Sequence, residues 1–221
     1  MFKPISLEEF IKRTGTEPHF TVTAQKIVSL RDIQPNTITA VQVMPRRYLE
    51  GMIRNIVLEG NEQYKPYQNC EISLVRMDPH DLQIGQTFVE RKKYQSLLEN
   101  FGTLLDDKFC VTRGTAKCNA LIVFGKIKDG TDAIAHYVPP IIEVSNGIQF
   151  LLDGIHRNFL VMRIGTTIES ILLKGVSLPL PCEARSWQTI RVVDEKPPRN
   201  ERFYNLKPEL FRNLKHAGID G

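Results

Sequence analysis

The sequence predicts an α+β (or α/β) fold: a small mixed sheet with flanking helices and an N-terminal extension. Three observations predict it. Short runs rich in β-branched residues alternate with segments of helical period along the chain. Ser145-Asn146-Gly147 separates two apolar runs, Ile141 to Val144 and Ile148 to Leu152. That is a strong hairpin signal, because Asn and Gly both tolerate the left-handed backbone of a tight turn. Leu151-Leu152-Asp153-Gly154-Ile155-His156-Arg157 then reads as a strand end, a turn at Gly154 and the opening of a helix.

The elements follow in order. Ile5 to Arg13 has amphipathic spacing, with Ser6 as N-cap and Glu9 completing a capping box. Thr21 to Leu30 is β-rich and closes at Gln34-Pro35-Asn36. Tyr48 to Glu59 places Leu49, Met52, Ile53, Ile56 and Val57 on one helical face. These elements form an N-terminal extension over residues 1–68. A core over 69–194 opens with the alternating strand Glu71 to Met77. It continues with the helix Glu90 to Phe101, which buries Tyr94, Leu97, Leu98 and Phe101. Asn119 to Lys128 and the run ending at Val138 read as strands joined at Asp129-Gly130. After the hairpin comes a helix from His156 to about Ile164, closed by Gly165. Ile168 to Leu173 and Trp187 to Val193 supply the last strands. Residues 195–221 contain a Pro-rich linker, Lys196-Pro197-Pro198-Arg199, and a short basic helix around Leu210 to Lys215 that ends at Gly218.

Composition narrows the function classes. With 221 residues, 42% of them hydrophobic and 24% charged, the chain can bury a sizeable core. No apolar run approaches the roughly 20 residues of a membrane helix. The N-terminal residues show no apolar signal core, so a cytoplasmic protein without a membrane partner is expected. Cys70, Cys110, Cys118 and Cys182 are scattered, with no Cys-x-x-Cys pair, which argues against zinc and redox motifs. A net charge of +4 permits a polyanionic ligand without demanding nucleic acid. Arg46, Arg47 and Arg54 form a basic cluster of the kind that usually lines a solvated helix face.

The chemistry concentrates at Asp153 to Arg157. The first amides of a helix lack internal partners and carry the positive end of its dipole. A glycine lets a phosphate approach the backbone, Arg157 offers a bidentate clamp, and His156 a further donor. Asp153 repels phosphate unless it holds a metal or takes a proton from a substrate hydroxyl.

These residues resemble the fold family shared by sulfiredoxin and the N-terminal domain of ParB-type proteins. Lys93-Tyr94-Gln95-Ser96-Leu97-Leu98 is similar to the Lys-Val-Gln-Ser-Leu helix of sulfiredoxins. Val138-Pro139-Pro140-Ile141 is similar to the strand entry that follows it in the family. Phe150 to Arg157 occupies the place of the sulfiredoxin turn and looks closer to the Asp-Gly-x-His-Arg turn of ParB-like kinases. The blocks keep the family's order, with an extra β-rich insertion from about Leu104 to Tyr137.

The resemblance implies a nucleotide site. Gly154, Ile155, His156 and Arg157 would hold phosphate, while Lys93 and Ser96 would reach the nucleotide from the earlier helix. ATP or another nucleoside triphosphate is the implied ligand, with Mg held at Asp153. Ile155 stands where sulfiredoxin carries its nucleophilic cysteine, so repair of sulfinic acid by that route is not expected. Phosphotransfer to a small hydroxyl-bearing acceptor fits what remains, with Asp153 and Glu143 as the catalytic carboxylates. The alternative is a ParB-like or other nucleotide-binding module without turnover. Specific DNA binding is not expected, because too few residues follow Val193 to form a recognition domain.

Overall fold

In the computed structural model, which describes residues 3–103 and 120–219, helix α1 (Leu7–Thr14) starts where its cap predicts. The Ser6 hydroxyl accepts the Glu9 amide at 3.1 Å, and Gly15 closes the helix at φ 70°. The β-rich run that follows yields only a short strand, β1 (Lys26–Val28), before two 3-10 turns; β2 is Ala40–Val43. Helix α2 (Arg46–Arg54) begins earlier and stops sooner than its apolar pattern predicts. The reason is tertiary. Asn55 turns its side-chain amide to the carbonyls of Lys12 and Arg13 at the end of α1, at 2.9 and 3.0 Å. Its Oδ1 accepts Lys65 Nζ at 2.7 Å. The chain then enters a strand, β3 (Val57–Leu58).

The next elements are β4 (Glu71–Met77), β5 (Gln83–Ile84), β6 (Phe88–Glu90) and helix α3 (Arg91–Thr103). Beyond the described gap come β7 (Leu121–Lys126) and β8 (Asp132–Tyr137). The hairpin strands are β9 (Ile141–Ser145) and β10 (Ile148–Asp153); helix α4 is Ile155–Arg163 and β11 is Ile168–Lys174. Trp187 to Val193 divides into a 3-10 turn and a strand, β12 (Arg191–Val193). The expected basic C-terminal helix is instead a strand, β13 (Arg212–Asn213), between two 3-10 turns.

The chain forms two compact units. The first comprises Met1–Gln68, Asn119–Val138 and Arg212–Gly221; the second comprises Asn69–Cys118 and Pro139–Phe211. The partition expected from sequence (1–68, 69–194, 195–221) is therefore redrawn. The insertion strands were assigned to the core, but they complete the sheet of the first unit, in the order β1-β8-β7-β2. β1 runs parallel to β8, and the other pairs are antiparallel. Ile122, Val123, Ile134 and Ala135 are fully buried there, so both faces of the central strands β7 and β8 are covered.

Within the first unit, Tyr48 Oη meets Nε2 of fully buried His136 at 2.9 Å. β13 pairs with β3, which buries Arg212 to 2% exposure. Arg46 pairs with Glu50 at 2.7 Å, and Arg54 donates to the Gln68 carbonyl at 2.7 Å. Of the basic cluster, Arg46 and Arg54 thus have partners within this unit.

The second unit is built on a five-stranded mixed sheet in the order β4-β11-β9-β10-β5. β11 is antiparallel to β4 and parallel to β9, and β10 is antiparallel to β9 and parallel to β5. β6 and β12 form a separate parallel pair. Helix α4 packs Ile155 and Phe159 on a buried cluster with Leu82, Val89, Ile142, Leu151, Leu172 and Trp187. Each such side chain contributes roughly 1.5–3 kcal/mol on burial. Tyr94 joins α3 to α4 by an edge contact with Phe159, ring centroids 5.4 Å apart. Among the described residues, no helix is long and apolar enough to cross a membrane.

Candidate functional site

The site grows from the β9–β10 hairpin. Asn146 at φ 49° and Gly147 at φ 78° give the left-handed pair that a two-residue turn needs, as the sequence predicts. The register runs from Ile148 opposite Ser145 to Leu151 opposite Ile142, then skips, so that Asp153 lies opposite Ile141. Leu152 is the extra residue of a bulge. The bulge puts Asp153 on the same sheet face as Ile141 and Glu143.

Gly154 follows at φ 92°, the N-cap position of α4, and no side chain caps the first turn of that helix. The glycine is required twice. Its backbone is left-handed, and a Cβ there would lie 2.8 Å from the Pro140 Cβ. Pro140 accounts for the second Pro of the Pro139-Pro140 motif: it packs against the turn. The close neighbour on that side is thus a proline ring, where the sequence reading left room for a phosphate.

Arg157 folds back over the turn and donates to Asp153 Oδ2 at 3.1 Å; the two side chains are 17% and 5% exposed. Asn158, fully buried, donates from Nδ2 to the Gly154 carbonyl at 3.1 Å. Its Oδ1 has no hydrogen-bond partner among the described residues.

The second half of the site comes from the β6–α3 junction. The Glu90 amide donates to His156 Nε2 at 3.1 Å, which leaves the imidazole proton on Nδ1. Lys93 Nζ pairs with Glu90 Oε1 at 2.7 Å, one turn into α3. Burial pushes His156 down to about 4, with Lys93 adding to the effect and Glu90 opposing it. Burial raises the Glu90 carboxyl, yet Lys93, His156 and Lys196 together hold it below the usual carboxylate range. At neutral pH His156 is therefore an uncharged ring among cations.

The sequence-predicted residues divide accordingly. Asp153, Gly154 and Arg157 share one contact set, and Lys93 and His156 meet at Glu90. Ile155 is buried in the α4 cluster, where its side chain anchors the helix. Ser96 is exposed one turn beyond Lys93. Glu143 is fully buried opposite Phe150, two residues along β9 from the partner of Asp153. Cys182 is buried beside Gly85 and Phe150, on the sheet face opposite the Ile155 cluster, and does not replace the missing turn cysteine.

Three contributors escaped the sequence reading. Glu90 is signalled by its i,i+3 spacing to Lys93 and Asn158 by its i+4 spacing from Gly154; Lys196 has no local signal. Among the described residues, no three His, Cys, Asp or Glu side chains group to hold a metal. One oxygen of Asp153, the expected magnesium ligand, accepts from Arg157.

Buried His136 and half-buried His156 make stability depend on pH. Burial lowers His136 from 6.5 to about 3 and His156 from 6.5 to about 4. Unfolding frees each ring to take a proton at its ordinary value, so the unfolded state binds more protons below about pH 6.5. Their contribution is complete above that pH. It is expected to fall by about 1.4 kcal/mol per pH unit for each ring as acid is added, until about pH 4 for His156 and about pH 3 for His136. Urea midpoints at pH 7.5 and pH 5 (roughly one unit either side of the transition) measure this; equal midpoints would contradict it.

No family model, no curated protein and no solved structure matches the chain.

Proposed function

We propose that the chain binds a nucleoside triphosphate at the Gly154 turn and supports phosphoryl transfer to a small hydroxyl-bearing acceptor. One observation carries this reading. Arg157 and neutral His156 stand at a helix start that no side chain caps, and His156 meets the Glu90 that Lys93 pairs with. Backbone amides at such a start favour anions, and Arg and Lys add charge-assisted bonds. The resemblance to the Asp-Gly-x-His-Arg turn of ParB-like kinases supports the same ligand class. Ile155 in place of cysteine speaks against sulfinic acid repair.

The Asp153–Arg157 pair shapes the mechanism. A phosphate arriving at the turn competes with Asp153 for the guanidinium. Once Arg157 turns to phosphate oxygens, the Asp153 carboxylate can accept the proton of an acceptor hydroxyl. The acceptor oxygen then bonds to the terminal phosphorus, the bond to the bridging oxygen breaks, and the nucleoside diphosphate leaves. Any magnesium would arrive on the phosphates. Neutral His156 adds no positive charge and serves as a donor through Nδ1.

Thermal-shift screening against the four ribonucleoside triphosphates, with and without magnesium, tests the binding. A ligand at a hundredfold excess over Kd stabilises the protein by about 2.7 kcal/mol. Asp153→Asn is expected to keep nucleotide binding and to lose acceptor-dependent ADP release. Unchanged ADP release in that variant would remove Asp153 from the chemistry.

A second reading, nucleotide binding without turnover, is favoured by the same ion pair: Asp153 is buried and already engaged by Arg157. A screen of hydroxyl metabolites that yields no ADP from the unmutated protein, despite tight binding, would select it.

A further inference from the structure

The segment after β12 carries a cation that the proposed chemistry has not used. Val193 pairs with Glu90 in the parallel β6–β12 ladder, so the chain leaving β12 passes the start of α3. Two bonds hold that segment in place. Arg91 Nε donates to Asp194 Oδ1 at 2.6 Å, and Arg202 Nε donates to the Pro197 carbonyl at 2.7 Å. Between these anchors lie Glu195 and Lys196, and Pro197-Pro198 follow. Two proline rings restrict the backbone and lower the entropy cost of keeping such a strap in one place.

Lys196 is exposed and lies three residues past Val193, the partner of Glu90, and two past Asp194, which Arg91 holds; its charge lowers both Glu90 and His156. Its neighbourhood is thus the Lys93–Glu90–His156 group. Lys93, Arg157 and Lys196 are set against the carboxylates Glu90 and Asp153, with Glu195 beside Lys196 on the strap. The cations stand at two stations: Arg157 at the start of α4, and Lys93 with Lys196 at the start of α3. His156 links the stations, being one residue before Arg157 and bonded to the Glu90 amide. Beneath the same turn, the fully buried Asn158 has no hydrogen-bond partner for its Oδ1 among the described residues.

We propose that the strap 194–198 delivers Lys196 as a third cationic contact for the ligand's phosphates, and that the site therefore selects nucleotides containing a pyrophosphate linkage over monophosphates. A single phosphate engages one station, whereas a di- or triphosphate reaches both. This rests on the nucleotide reading above and extends it to ligand class.

Calorimetric titration of the full chain with ATP, ADP, AMP and inorganic tripolyphosphate tests it. Lys196→Ala is expected to weaken ATP, ADP and tripolyphosphate by about tenfold and to leave AMP unchanged. Lys196→Arg should retain the affinity, and the melting temperature of either variant should match that of the unmutated protein, because the side chain is exposed. Equal loss for AMP would reduce Lys196 to a general electrostatic effect and overturn the proposal. So would ATP affinity unaffected by Lys196→Ala; if Arg157→Ala still weakens ATP in that case, the nucleotide reading stands and only the strap's role falls. If the unmutated protein binds none of the four compounds, both fall together.

Discussion

Replacing Arg157 by alanine is expected to weaken nucleotide binding by about tenfold to a hundredfold, the loss of a charge-assisted clamp worth roughly 1.5–3 kcal/mol. The same change touches stability, because Asp153 loses the guanidinium at 3.1 Å while remaining buried. Removing one member of a buried pair leaves the other poorly compensated. A double variant separates the effects. Arg157→Ala with Asp153→Ala removes both charges, so much of the stability should return while the affinity should not. Calorimetry reads the affinity and urea denaturation the stability. If the single variant binds ATP as tightly as the unmutated protein, Arg157 has no part in the site.

Gly154→Ala is expected to have the largest effect on the fold. A Cβ on a left-handed backbone costs about 1–2 kcal/mol. Here it would also press on the Pro140 ring at 2.8 Å, and overpacking of this kind costs about 1–3 kcal/mol. Together these predict a loss of roughly 2–5 kcal/mol, or about 4–20 °C in melting temperature for a chain of this size. Pro140→Ala in the same background should recover the packing part and leave the backbone part. Thermal unfolding of the two variants checks both terms. A loss below about 0.5 kcal/mol, the range of ordinary surface changes, would mean that the turn relaxes freely.

Local signals located the elements of the second unit well. Asn146-Gly147, the strand Glu71–Met77, the helix after Gly154 and its stop at Gly165 are all written in short-range rules: turn dihedrals, alternation and capping. The α+β class follows from them. The failures share one cause, which is pairing over long sequence distance. Nothing local to Lys26–Val28 says that it will run parallel to Asp132–Tyr137. Nothing in the apolar face of Tyr48 to Glu59 says that Asn55 will leave the helix to cap α1. Nothing local to Leu210–Lys215, expected as a basic helix, says that Arg212 will be buried by pairing with β3, far away in sequence. At the site, Asp153, Gly154, His156 and Arg157 were legible from one strand-turn-helix run. The Asp153–Arg157 pairing, the Glu90 amide on His156 and the approach of Lys196 were not, since each is fixed by packing or by a β6–β12 register that no local pattern encodes.

The interleaved path of the chain has a consequence for biosynthesis. As the polypeptide emerges, the first 68 residues contain two of the four strands of their sheet, and the parallel partner of β1 arrives only with residues 132–137. By then the second unit has its opening strands and α3 but lacks β9, β10 and β11, the middle of its own sheet. The first sheet therefore receives its two central strands only after the second has begun, and the second cannot close until β9, β10 and β11 have followed. High contact order of this kind slows folding and exposes unpaired strand edges while the chain waits. Fragments cut at residue 68, or anywhere within the β7–β8 hairpin, should not fold, and slow refolding of the full chain should show closure of the two units as overlapping phases.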